Sequence, residues 1–166
     1  MRRRHDKLVH LAGLRLGLTP VENLRFDRAD VYFPVYKNVH RLRVEAFREM
    51  IAQVRETIRP GEPVFVFPAL AMAYFVSERD NPTRHDYFLG SNVRFDEQVA
   101  IVRTLEQHRV KLIVVPSDQN DYFLKSSRPY TRLLSAYLNQ SYYLERRLDK
   151  YDVLRRYGST SGGGRE

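Results

Sequence analysis

Two short apolar runs, each closed by a proline, constrain this chain more than any other feature. "EPVFVFP" (Glu62–Pro68) and "VKLIVVP" (Val110–Pro116) are dense in β-branched and aromatic residues and too short for core helices. Runs of that kind predict buried strands, apolar on both faces. Each run follows a helical pattern. Over residues 40–58, Phe47, Met50, Ile51, Val54 and Ile58 recur on one face, and Pro60-Gly61 ends the helix. Over residues 95–108, Asp96 is the expected N-cap, with Val99, Val102 and Leu105 facing inward. "ALAMAYFV" (Ala69–Val76) reads as a short helix leaving the first strand directly.

Helix, strand, helix, loop, helix, strand is the order of a domain with parallel strands and covering helices. A further helix is expected from Pro129 to Leu138, with Pro129 at its first position. "YYLERRLDKYDVLRRY" alternates on either side of Asp149-Lys150, which predicts an antiparallel hairpin that closes the sheet. The expected fold is therefore a small three-layer α/β domain with a mostly parallel sheet, helices on both faces and a C-terminal antiparallel hairpin. It occupies residues 39–157. A basic, partly extended segment (1–38) precedes it and a flexible Gly/Ser tail (158–166) follows. In the first segment, Leu8, Leu11, Leu14 and Leu18 fit a short amphipathic helix, and "DVYFPV" fits an extended piece with Pro34 at an edge or end.

Composition narrows the chemistry. Hydrophobic residues make up 43% and charged residues 29%, as in globular domains. There is no cysteine, so disulfides, thiolate zinc sites and cysteine nucleophiles are excluded. No apolar run reaches the ~18 residues of a membrane span. Arg15 interrupts the apolar part of the basic N-terminus, which argues against a signal peptide.

The net charge is +8, but it is uneven. Residues 1–60 carry 13 Lys/Arg against 7 Asp/Glu, residues 61–120 carry 6 against 8, and residues 121–166 carry 9 against 5. A nucleic-acid reader would concentrate basic residues at its recognition chemistry, so the acidic centre argues against that partner. Basic flanks suit anionic lipid headgroups or a solvated surface.

The chemistry-bearing stretch is "YFVSERDNPTRHDYF" (Tyr74–Phe88). Asn81-Pro82 forms a turn, across which Arg79, Arg84 and Asp86 are expected to converge. Tyr74, Arg79, Asn81, Thr83, Arg84 and Asp86 are the candidate residues, as a self-satisfied corner before a ligand loop. No catalytic set is evident. His85 and Asp86 are adjacent and point apart in an extended segment, and Ser117 lacks the glycines of a nucleophile turn. Neither strand end carries a Gly-rich phosphate loop, and the five histidines are scattered without metal-ligand spacing. No cofactor and no metal are expected.

Pro60-Gly61, the strand over 64–67, Tyr74-Phe75, Arg79, the run Asn81-Pro82-Thr83-Arg84 with Asp86, and the helix–strand pair over 97–115 together resemble a known family. They are similar to the C-terminal soluble domain of dolichyl-phosphate-mannose-protein mannosyltransferase-like, multi-spanning glycosyltransferases of the GT-C type. The similarity covers roughly residues 58–156, and the Asn-Pro-Thr-Arg run is its specific part. It implies a polyprenyl-phosphate sugar donor, an extracytoplasmic location and a membrane-embedded catalytic domain as partner. The family's catalytic acid lies in a loop between membrane spans, and no residue of this chain corresponds to it. A free-standing α/β module for anionic partners is the alternative.

Overall fold

The computed structural model describes residues 21–26, 29–34, 39–88, 93–117 and 128–159. The chain divides into two compact units, residues 1–48 and 49–166. In the first, β1 (Val21–Phe26) pairs antiparallel with β2 (Ala29–Pro34), in a register running from Val21 opposite Pro34 to Phe26 opposite Ala29. Pro34 ends β2, as its missing N–H requires. Helix α1 (Val39–Thr57) runs from this unit into the next. The leucine stripe over residues 8–18 and most of the C-terminal tail lie outside the described residues.

The second unit holds a four-stranded sheet. Its strands are β3 (Phe65–Val66), β4 (Leu112–Pro116), β5 (Tyr142–Arg147) and β6 (Tyr151–Arg156), in the order β3-β4-β6-β5. Only β3 and β4 are parallel; β6 runs antiparallel to both of its neighbours. The sheet is therefore mixed and not mostly parallel. The C-terminal hairpin forms as expected, but its second strand occupies the interior, and β5 becomes the edge. β3 is short because Pro63 and Pro68 flank it and neither can donate to a ladder. Phe67 extends the pairing by one bond, donating to the Val114 carbonyl at 2.9 Å.

Among the described residues, helices α2 (Ala71–Ser77), α3 (Phe95–Gln107) and α4 (Arg132–Ser141) accompany the sheet. One core joins Phe65 of β3, Phe67 just after it, Ile113 of β4 and Phe88 of the following segment with Ile101 and Leu105 of α3 and Leu134 and Leu138 of α4. The Phe88 ring meets Phe65 edge-on at 5.4 Å and Phe67 at 5.6 Å. The expected stripe of α1 is buried throughout: Phe47, Met50, Ile51, Val54 and Ile58.

The start and inward face of α3 differ from the sequence expectation. Arg94 is the N-cap and Asp96 lies within the first turn; the Glu97 carboxylate turns back to accept the Arg94 backbone N–H at 2.9 Å. The buried line is Gln98, Ile101 and Leu105. Val102 is half-buried against the core. Gln98 earns its place inside through hydrogen bonds, donating to the Tyr130 carbonyl at 2.8 Å and accepting from the Leu134 N–H at 3.3 Å. Pro129 sits in a 3-10 turn (Arg128–Tyr130) ahead of α4, whose N-cap is Thr131. At its other end α4 runs into β5 with no loop. Tyr142 donates its N–H to Leu138 in the helix, begins the strand, and donates its hydroxyl to the Val110 carbonyl at 2.9 Å.

Candidate functional site

The Tyr74–Phe88 segment begins with a helix end that is locked twice. Tyr74 is buried in α2, and its hydroxyl accepts the Val66 N–H at 2.9 Å. Burial pushes that hydroxyl far above the usual tyrosine range. Glu78 then takes a left-handed conformation, φ 58°, and the next N–H, of Arg79, returns to the Tyr74 carbonyl at 3.2 Å.

Arg79 is 7% exposed. Its guanidinium donates to four main-chain carbonyls: Ile58 at 2.7 Å, Ser77 at 2.8 Å, Glu78 at 3.1 Å and Arg55 at 3.2 Å. These carbonyls belong to the C-terminal ends of α1 and α2, where helices leave acceptors unmet and carry negative partial charge. One cation thus serves two helix ends. Burial, and then the neighbouring Arg55, lower its pKa from the ordinary arginine value. Arg55 itself donates to the Val76 carbonyl at 3.0 Å and pairs with Glu78 at 3.5 Å.

The turn that follows is built by Asn81. Its amide oxygen accepts from the Thr83 N–H at 2.9 Å and the Thr83 hydroxyl at 3.0 Å. Its amide nitrogen donates to the His85 carbonyl at 3.0 Å and to Asp86 at 2.9 Å. Arg84 points away from all of these. Its side chain is 77% exposed and pairs with Glu97 of α3 at 2.7 Å, while its Nε donates to His85 Nε2 at 3.3 Å. The Arg94 backbone N–H, and to a lesser degree Arg84, hold the Glu97 carboxyl below the usual carboxylate range.

Arg79, Arg84 and Asp86 therefore do not converge. Each has its own destination: carbonyls, Glu97 and Asn81 respectively. The expected charge pairing across the turn is replaced by an amide-built turn between a buried and an exposed arginine. The segment as a whole lies along the outer edge of β3. Asp80 bridges Pro63, with its carbonyl accepting from the Val64 N–H at 3.1 Å, and Tyr87 bridges Ala69, with the Phe88 N–H reaching the Pro68 carbonyl at 2.9 Å. It covers a strand edge that would otherwise offer unpaired backbone groups.

Between this segment and α3 lies an open groove lined by Pro82, Thr83, Arg84, His85, Glu97 and Thr104, among others. The polar atoms there can orient a hydroxyl-rich or anionic group, through the remaining Arg84 donors and the His85 ring. Among the described residues lining the groove, no nucleophile–base pair is assembled. Ser117, the other sequence candidate, donates its hydroxyl to the Asp149 carbonyl at 3.1 Å in the β5–β6 turn. Among the described residues, no group of three or more His, Asp or Glu residues is placed to hold a metal ion.

The sequence reading missed Arg55 and Glu97 as members of this site. Arg55 is an ordinary polar-face arginine of a long helix, so nothing local distinguishes it. Glu97 had a signal, since a Glu three residues after the helix cap is a known N-terminal pattern. Compared with known protein families, curated proteins and solved structures, the chain matches none.

Proposed function

We propose that this chain is a non-catalytic domain of a membrane glycosyltransferase that uses a polyprenyl-phosphate sugar donor, and that it shapes the extracytoplasmic donor or acceptor cleft. The Asn81-Pro82-Thr83-Arg84 corner carries the reading. It is the specific part of the family resemblance, and its hydrogen bonding holds Arg84 outward beside an open groove. No helix of the described residues is long and apolar enough to cross a membrane; in this reading the membrane spans and the catalytic acid belong to a membrane-embedded partner. In this reading the domain is membrane-associated and three-layered: α3 and α4 cover one face of the sheet, and α1 and α2 cover the other.

The test joins the domain to the membrane-embedded half encoded beside it and measures sugar transfer from a polyprenyl-phosphate sugar. Changing Arg84 to Ala is expected to lower transfer about tenfold, the worth of one charge-assisted contact, with unchanged melting of the domain. Unchanged transfer removes the corner from the mechanism. Flanking DNA without apolar 20-residue segments removes the reading itself.

A further inference from the structure

A second site lies where β3 and β4 begin and β6 ends. An open cleft of about 430 Å³ is lined there by Glu56, Arg59, Glu62, Arg109, Lys111 and Arg155, with Arg156 and the Tyr157-Gly158-Ser159 turn at its rim. It shares no residue with the groove beside Arg84. Five of the lining side chains are basic and two are acidic. Lys111 holds Glu62 at 2.7 Å. Arg155 and Arg156 are paired with carboxylates outside the lining, Glu145 at 2.6 Å and Glu106.

Two cations remain. Arg59 and Arg109 are exposed, and neither guanidinium lies within ion-pair distance of a carboxylate among the described residues, although the Arg59 backbone N–H donates to Glu62 at 3.2 Å and its charge acts on that carboxylate. They come from two separate turns, Arg59 after α1 and Arg109 after α3. Arg109 holds a left-handed backbone, φ 46°, immediately after the C-cap of α3. A glycine would sit there without the ~1 kcal/mol that a side chain costs in that conformation. The arginine therefore stands at a position whose backbone opposes it locally.

We propose that this cleft binds a phosphate group, carried by a free phosphoryl compound or by a lipid headgroup. Two guanidinium forks lining one cleft, with their side-chain donors open among the described residues, suit the several oxygens of a tetrahedral phosphate, whereas a single carboxylate is saturated by one fork. The cleft has the volume of a small-molecule site. It is a local basin of charge and not the basic stripe with stacked aromatics that a nucleic-acid strand requires. The proposal does not depend on the glycosyltransferase reading.

The experiment uses the full chain and two probes: pyrophosphate by calorimetry, and sedimentation with phosphatidylglycerol vesicles against phosphatidylcholine vesicles. The variant is Arg59→Gln with Arg109→Gly, in which the glycine suits the backbone and keeps the fold. Arg103→Gln, an exposed α3 arginine that lines neither this cleft nor the groove beside Arg84, is the control. The parent is expected to bind at least one probe, the double variant to bind it ~30-fold or more weakly, and the control to match the parent. Binding of pyrophosphate alone assigns a free phosphoryl ligand; binding of the anionic vesicles assigns a headgroup. The proposal is overturned if the parent binds neither probe, if the double variant binds as the parent does, or if the control loses binding equally.

Discussion

Removing the Arg79 guanidinium tests the central structural claim, that one buried cation ties together the ends of α1 and α2. Of its four carbonyl contacts, those to Ile58 and Ser77 are buried and those to Glu78 and Arg55 are partly solvated. Water replaces the guanidinium at the solvated pair, so only the buried pair enters the estimate. Hydrogen bonds to a charged group contribute roughly 1.5–3 kcal/mol each. Arg79→Met, which retains much of the side-chain volume while removing every donor, is therefore expected to cost roughly 3–6 kcal/mol. At about 3 °C per kcal/mol for a chain of this size, the melting midpoint falls by roughly 9–18 °C. Arg79→Lys keeps the charge but lacks the planar fork, and should fall between the two. Thermal melts followed by circular dichroism measure all three proteins. A methionine variant within about 1 kcal/mol of the parent would refute the claim, because it would mean that the helix ends need no cation.

Two further outcomes are expected. Tyr74→Phe leaves the buried Val66 N–H without its acceptor and should cost about 1–3 kcal/mol in urea denaturation, with faster exchange of the Val66 amide; equal stability would break that link. The Tyr137 hydroxyl, and then Arg156, hold the Glu106 carboxyl below its ordinary value of 4.5. A lowered folded-state pKa gives stability that is complete above the unfolded value and is lost as the pH falls through the folded one. Glu106→Gln should therefore lower the melting midpoint at neutral pH and flatten its decline below about pH 4.5; a decline as steep as the parent's counts against the pairing.

The elements that were legible in the sequence are those whose signal is local. The α1 stripe, the two proline-bounded strands and the Asp149-Lys150 hairpin each announce themselves within a window of about 20 residues. What was not legible depends on distant partners. The place of β6 between β4 and β5 is a matter of sheet order, which no periodicity encodes. β1 was missed because Val21-Glu-Asn-Leu-Arg-Phe26 is only weakly β-prone, and its pairing with β2 supplies the rest. At the candidate site, the Asn81 turn was visible from its residue types. The destination of Arg79 was not, because the Arg55 and Ile58 carbonyls lie 24 and 21 residues earlier and main-chain acceptors leave no mark in a sequence.

The junction at Tyr142 leaves the chain no slack. A helix advances ~100° per residue and a strand reverses its face with each one, so a single inserted residue would spoil both α4 and β5 at once. Because the Tyr142 hydroxyl is also fastened to Val110, just ahead of β4, the end of a helix, the start of an edge strand and the approach to a central strand meet at one residue. Length variation in this half of the fold is thereby pushed away from the helix–strand joint and toward the polar loops.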